Sequence, residues 1–342
     1  MSKDRYSRQT LFAPIGKAGQ EKLQRTHVLV VGAGALGASV SEILVRAGIG
    51  RLTIVDRDYV EWSNLQRQQL YTEKDAEDHL PKAIAAERRL SQINSNVSIQ
   101  GKIADLDVQE LANYCQAIDL IIDATDNFET RMLINDSAQK YRIPWIYGGC
   151  VGSTGITYTI LPGQTPCLSC LLGTLPLAGD TCDTIGIISP AVQLVTAHQA
   201  TEALKLLTGQ KASLRNTLLF FNLWNNEHST INVDSMKKHD CPSCGSTPTY
   251  PYLNIENQTK TAILCGRDSV QIRPQRRLEG GLETISHRLS TLDIKLKSNP
   301  YLINFEVEGG YRLVIFQDGR ALVHGTKDIA LAKTLYSRYI GG

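Results

Sequence analysis

The chain has 342 residues, 36 Lys and Arg against 34 Asp and Glu, a net charge of +2 and an apolar share of 42%. Near-neutral, interspersed charge gives no reason to expect nucleic acid or an anionic membrane as a partner. No apolar run reaches the roughly 18 residues of a membrane span, and the polar start, Met1-Ser2-Lys3-Asp4-Arg5-Tyr6, lacks the apolar core of a signal peptide. The expectation is a cytoplasmic protein of about two domains.

Residues 1–26 read as a polar lead-in with helical character over 14–25. Residues 28–31 form a buried strand, 36–47 the following helix, 48–50 a glycine turn and 52–55 the next strand, which makes a βαβ unit. Residues 81–92 are helical, 97–103 a strand, 108–114 a short helix, 120–123 a strand, 128–141 a helix and 145–147 a strand running into Gly148-Gly149. This alternation predicts an α/β fold: a Rossmann-like, doubly wound, mostly parallel sheet. The pattern then changes, with a β segment over 155–161, a loop-rich stretch over 167–183, a long helix over 190–208 and strands at 218–223 and 229–233. Pro190 suits the first turn of that helix and Gly209 its end. A boundary is expected at 248–253, giving a first domain of residues 1–248 and a small α+β unit over 254–342. In that unit strands are predicted at 261–264, 301–306 and 311–316, and helices at 282–289 and 328–339.

Several residue patterns carry chemistry. Gly32-Ala33-Gly34-Ala35-Leu36-Gly37 lies between a strand and a helix, where glycines let the backbone approach a phosphate at a helix N-terminus. Asp56 ends the second strand, where an acid would hold ribose hydroxyls. Read alone, the pair is also compatible with a tight structural turn and a solvated acid. Asn64, Arg67 and Lys82 follow. A triphosphate reacting at its α-phosphorus needs cations on its oxygens, and Arg67 and Lys82 could supply them. Asp126 follows a strand end and could hold magnesium; Asp126 or Asn127 could equally cap the next helix. Of eight cysteines, Cys167, Cys170, Cys241 and Cys244 form two Cys-x-x-Cys pairs. Together they match a tetrahedral, closed, structural zinc site that clamps two remote segments, with a redox dithiol as the alternative.

These pieces resemble the ThiF/MoeB/HesA family, prokaryotic relatives of the ubiquitin-activating enzymes. The matching residues are Arg5-Tyr6-Ser7-Arg8-Gln9, the glycine loop, Asp56-Arg57-Asp58, Ser63-Asn64-Leu65-Gln66-Arg67-Gln68, Pro81-Lys82 and Asp123-Ala124-Thr125-Asp126-Asn127. The resemblance implies ATP-dependent adenylation of the C-terminal glycine of a ubiquitin-like sulfur carrier protein, ThiS or MoaD, followed by sulfur transfer from a donor protein. It implies ribose binding by Asp56 and triphosphate contacts from Arg67, Lys82 and Arg8. It further implies magnesium on Asp126, and a homodimer in which Arg8 reaches the partner's site. It places Cys182 where family members carry a cysteine near the adenylate, and that presence tilts the expectation toward ThiS and thiamine biosynthesis over MoaD and molybdenum cofactor biosynthesis. An NAD-dependent oxidoreductase would explain Asp56 but not Arg67, Lys82 or the four cysteines. A non-catalytic scaffold would not need the arginine segment together with Asp126. Residues 254–342 lie beyond the usual family core and show no rhodanese-type loop around Cys265; the expectation is carrier docking or dimer support.

Overall fold

The computed structural model describes residues 5–172, 185–254, 261–263, 268–274, 281–290 and 294–340. The chain divides into two compact units, Met1–Asn257 and Gln258–Gly342, just beyond the expected boundary.

The first unit is built on eight strands: β1 (His27–Val31), β2 (Arg51–Asp56), β3 (Ser98–Ile103), β4 (Leu120–Asp123), β5 (Trp145–Val151), β6 (Thr154–Ile160), β7 (Thr217–Asn222) and β8 (Glu227–Asn232). Their order is β3-β2-β1-β4-β5-β6-β7-β8. The first five pair in parallel, as the alternating pattern predicts. From β5 onward the pairing is antiparallel. Connection length explains the switch. Only Gly152 and Ser153 separate β5 from β6, and so short a link can make a hairpin but not a crossover. Gly152, at φ +58°, supplies the left-handed turn residue.

The helices of this unit are α1 (Ser7–Thr10), α2 (Gly16–Leu23), α3 (Ala35–Ala47), α4 (Glu73–Glu77), α5 (Lys82–Ile93), α6 (Val108–Cys115), α7 (Phe128–Tyr141), α8 (Leu168–Leu171) and α9 (Ser189–Thr208). Helix α9 has proline in its first turn and ends on left-handed Gly209, as expected. Helix α8, a single turn, falls inside the stretch read as loop. Leu29, Val31, Ile121, Trp145 and Tyr158 lie in a core cluster that also takes in Met132 and Leu133 of α7. Among the described residues no helix is long and apolar enough to cross a membrane.

The second unit carries an antiparallel sheet of β9 (Thr261–Ile263), β10 (Ser269–Ile272), β11 (Leu296–Ser298), β12 (Leu302–Val307), β13 (Tyr311–Phe316) and β14 (Ala321–His324), with helices α10 (Gly281–Ser290) and α11 (Ile329–Tyr339). The order is β11-β12-β13-β14-β10-β9. Alternate residues Ile303, Phe305, Leu313, Ile315 and Val323 share a core with Ile285, Leu289, Leu335 and Tyr336 of the helices. The pattern missed β10, β11 and β14, whose three or four residues are too short to show a period.

Candidate nucleotide site and four-cysteine cluster

The glycine loop follows β1 and opens α3, with Gly34 as the residue before the first helical turn. Gly32 adopts φ +97°, and a Cβ there would meet the Ala124 carbonyl oxygen at 2.4 Å. A Cβ on Gly37 would meet the Gly32 carbonyl oxygen at 1.9 Å. At Gly34 the space is open, with Gln68 Nε2 the nearest atom at 3.9 Å. Two glycines therefore shape the loop, and the third leaves room above it. Asp56, at the end of β2, accepts hydrogen bonds from the Ala33 N–H at 2.6 Å and the Asp58 N–H at 2.7 Å. Burial pushes its carboxyl up, and the Lys82 ammonium pulls it back toward the ionised form.

Lys82 reaches this acid pair because the chain doubles back. The Val60 N–H donates to Leu80, and the Lys82 N–H donates to the Asp58 carbonyl. The Lys82 side chain, only 4% exposed at the residue level, lies 3.4 Å from Asp58 Oδ2. A cation in the first turn of α5 opposes that helix's dipole, and the two carboxylates offset the cost.

The segment after β2 folds onto the loop. Tyr71 donates its hydroxyl to the Ala33 carbonyl, and burial holds that phenol well above its ordinary pKa, so it remains a donor. Asn64 is buried, with Oδ1 accepting the Glu61 N–H, and its Nδ2 has no acceptor among the described residues. Arg67 is half-buried, and its guanidinium donates to the Ser63 carbonyl at 2.8 Å.

The β4 end is held by a residue to which the sequence reading gave no role. Arg131 pairs with the buried Asp123 at 2.9 Å, donates to the Thr125 carbonyl and lies over the Tyr147 ring. Burial raises the Asp123 carboxyl, while Arg131 and Thr125 oppose that rise. Asn127, rather than Asp126, caps α7 by accepting the Thr130 N–H. Asp126 is left exposed, close enough to raise the pKa of Arg57 and of Arg131. For Arg57, burial works against the charge, but Asp105, 3.4 Å away, and then Asp126 outweigh it.

Gly32, Gly34, Gly37, Asp56, Asn64 and Lys82 thus come together, with Arg67 on the same turn as Asn64. Arg8 does not join them. Within its motif, Arg5 donates to the Ile93 carbonyl, Tyr6 accepts from Asn94, and Gln9 donates to Gln20 and the Ala47 carbonyl. Those bonds dock the segment and leave Arg8 exposed. Cys182 lies outside the described residues. Asp58, Gln68, Tyr71 and Arg131 went unassigned in the sequence reading, because burial and hydrogen bonding, not spacing, single them out.

Cys167, Cys170, Cys241 and Cys244 bring their four sulfurs within 4.8 Å of one another. The Cys167–Cys241 and Cys170–Cys244 pairs stand 3.6 and 3.5 Å apart. Four thiolates around a tetrahedral zinc at about 2.3 Å would stand about 3.8 Å apart, so the set fits such an ion. Each knuckle is tied to α7. Leu168 donates its N–H to Asn135, and Asp136 accepts from the Ser243 hydroxyl and the Tyr252 N–H.

Fold and site together define a Rossmann-like α/β protein with a four-cysteine cluster able to hold a metal. The chain belongs to the ThiF family, whose model matches residues 6–243. It is 53% identical to the sulfur carrier protein ThiS adenylyltransferase of Bacillus subtilis, over 98% of this chain and 99% of that protein. It is 37% identical to a sulfur carrier protein adenylyltransferase of Thermus thermophilus, over 72% of this chain and 92% of that one. Among solved structures, E. coli MccB with ATP superposes with a TM-score of 0.62 at 24% identity, over 72% of this chain and 75% of the other, a likeness of fold.

Proposed function

We propose that this chain is an adenylyltransferase that activates the C-terminal glycine of a ubiquitin-like sulfur carrier with ATP, and that the carrier is of the ThiS type. The observation that carries the reading is the 53% identity to a ThiS adenylyltransferase along nearly the whole of both chains, the second unit included.

In the reaction the carrier's terminal carboxylate attacks the α-phosphorus of ATP, a bond to the carboxylate oxygen forms, and pyrophosphate leaves with its bonding pair. No general base is needed, because the carboxylate is already ionised at neutral pH. The residues act by position and charge. The open space over Gly34 admits the phosphates, and Asp56 presents acceptors to the ribose. Lys82 and Arg67 neutralise the phosphate oxygens, and Asn64 has an unused donor for the nucleotide. Asp126, exposed on the β4 turn, would hold a magnesium ion, which supplies further charge neutralisation. Arg8 acts in a second copy's site, so the protein is a homodimer. Its exposure beside Leu11 and Phe12, 72% and 61% exposed, supports that assignment. A zinc ion held by the four cysteines has every position filled and serves structure. The acyl-adenylate then takes sulfur from a separate donor protein, and adenylation itself requires no thiol from Cys182.

Arg67→Ala is expected to abolish carrier-dependent ATP–pyrophosphate exchange while its circular dichroism spectrum and melting curve match the parent. Full exchange in that variant would overturn the assignment. Running the same assay with a ThiS-type and a MoaD-type carrier tests the choice of carrier: exchange with the second alone would reverse it.

A further inference from the structure

Ala124, Thr125 and Asp126 lead from β4 to the Asn127 cap of α7. The Ala124 N–H donates to the Val31 carbonyl at 2.9 Å. The Thr125 N–H and hydroxyl both donate to Asp123 Oδ1, at 2.9 and 2.6 Å. Arg131, in the first turns of α7, completes the set. Its Nε donates to Asp123 Oδ2 at 2.9 Å, and its Nη2 donates to the Thr125 carbonyl at 2.6 Å and reaches the Gly148 carbonyl of β5 at 3.4 Å. The Thr125 carbonyl and the Asp126 N–H belong to one planar peptide unit. The bond from Arg131 therefore fixes the plane that carries Asp126, whose side chain stands exposed.

For stability alone this ion pair is a poor choice. The Asp123 side chain is wholly buried and that of Arg131 is 18% exposed. Taking both charges out of water costs about as much as their attraction returns, and apolar side chains of similar volume would fill the space without that cost. An arginine does what neither an apolar residue nor a lysine can. Its planar fork donates in two directions at once, to the carboxylate at the strand end and to the peptide ahead of Asp126. The Tyr147 ring, 5.0 Å from the guanidinium carbon, backs the fork. The glycine loop packs directly on the same turn, since a Cβ on Gly32 would meet the Ala124 carbonyl oxygen at 2.4 Å. A shift of the turn would therefore move Asp126 relative to the loop.

We infer that Arg131 is a positioning residue for adenylation, holding the 124–126 turn so that the Asp126 carboxylate meets the divalent cation that arrives with ATP; the inference rests on the reading of Asp126 as the magnesium holder. Arg131 acts through Asp126 and not by touching the nucleotide.

The test uses the full chain and titrates ATP by calorimetry, once with excess magnesium and once in EDTA, with the ligand-free melting temperature recorded for each variant. Arg131→Lys keeps the charge beside Asp123, but a single ammonium in place of the fork gives up the Thr125 carbonyl. Its affinity for ATP with magnesium should fall about tenfold, and its affinity in EDTA should stay within about twofold of the parent's. Asp126→Asn should show the same pattern. Adding Arg131→Lys to Asp126→Asn should cost less than about twofold more, because nothing is left to position. A merely structural role would lower the two affinities together. Should Arg131→Lys melt too low to titrate, the neutral pair Asp123→Asn with Arg131→Gln, whose amide is too short to reach both partners, takes its place with the same expectations. Parent-like affinity for ATP with magnesium in the Arg131 variant would overturn the inference. Equal losses in magnesium and in EDTA, or the full loss on top of Asp126→Asn, would do the same. If Asp126→Asn loses affinity and the Arg131 variant does not, this inference alone fails. If Asp126→Asn binds ATP with magnesium as the parent does, the reading of Asp126 as the magnesium holder fails and takes the inference with it.

Discussion

Gly34 and Gly37 share one loop and answer to different constraints. A methyl group at Gly37 would lie 1.9 Å from the Gly32 carbonyl oxygen and 3.3 Å from the Ala124 side chain. Gly37→Ala should therefore destabilise the fold by ~1–3 kcal/mol or more, read from urea unfolding. Gly34 has φ −72° and ψ −150°, and a side chain there would meet nothing nearer than Gln68 Nε2, in ordinary contact at 3.9 Å. Gly34→Ala should lower the urea midpoint far less than Gly37→Ala and weaken ATP binding, because the methyl group would enter the volume proposed for the phosphates. A midpoint that fell as far as that of Gly37→Ala would show Gly34 to be structural. The spacing of the loop was legible in the sequence, but the division of labour within it was not. It depends on Ala124, which β4 brings against the loop from a distant stretch of chain. The same limit applies at the β4 turn: spacing left Asp126 and Asn127 as rival caps, and only the observed bond from Thr130 assigns Asn127.

At the scale of elements, the strands and helices around the sheet were legible wherever the apolar period ran long enough, as in β1, α3 and α9. The reversal of direction after β5 was written in the two-residue link, which a count of alternating elements passes over. Strand β1 also carries a titrating group. His27 at its head joins the Ala117 carbonyl through Nδ1 and Thr53 Oγ1 through Nε2, each at 2.9 Å. Burial lowers its pKa below the ordinary 6.5, the Ala117 carbonyl opposes that, Arg51 adds to it and Asp119 opposes it. The folded state thus favours neutral imidazole. As pH falls through 6.5 the unfolded chain takes up its proton first, so the stability His27 contributes is whole above 6.5 and is lost toward its lowered folded value. Urea unfolding at pH 7.5 and 5.5 should show a drop for the parent and a smaller drop for His27→Asn. Equal drops would remove His27 from the account. His198, lowered chiefly by burial, adds a loss of the same sign.

At the scale of the whole molecule, the four-cysteine cluster joins segments separated by 74 residues and fixes both to α7. The two cysteine pairs announced the cluster in the sequence. Its anchorage through Asn135 and Asp136 was hidden, because a polar pair in mid-helix has no spacing signal. A cross-link closing a loop of that length restrains the unfolded chain by on the order of 4 kcal/mol. With zinc in place, that restraint belongs to the first unit. The second unit has its own sheet and core, and its described residues offer no comparable cluster. Stripping the metal with a chelator should therefore act on one unit. In hydrogen–deuterium exchange, peptides covering α7, α8 and residues 238–252 should lose protection and regain it when zinc is restored. Peptides covering β12 and β13 should exchange as before. Loss of protection in both units at the same chelator concentration would mean that the clamp holds the whole chain. No change in either would mean that the four thiols hold their places without an ion.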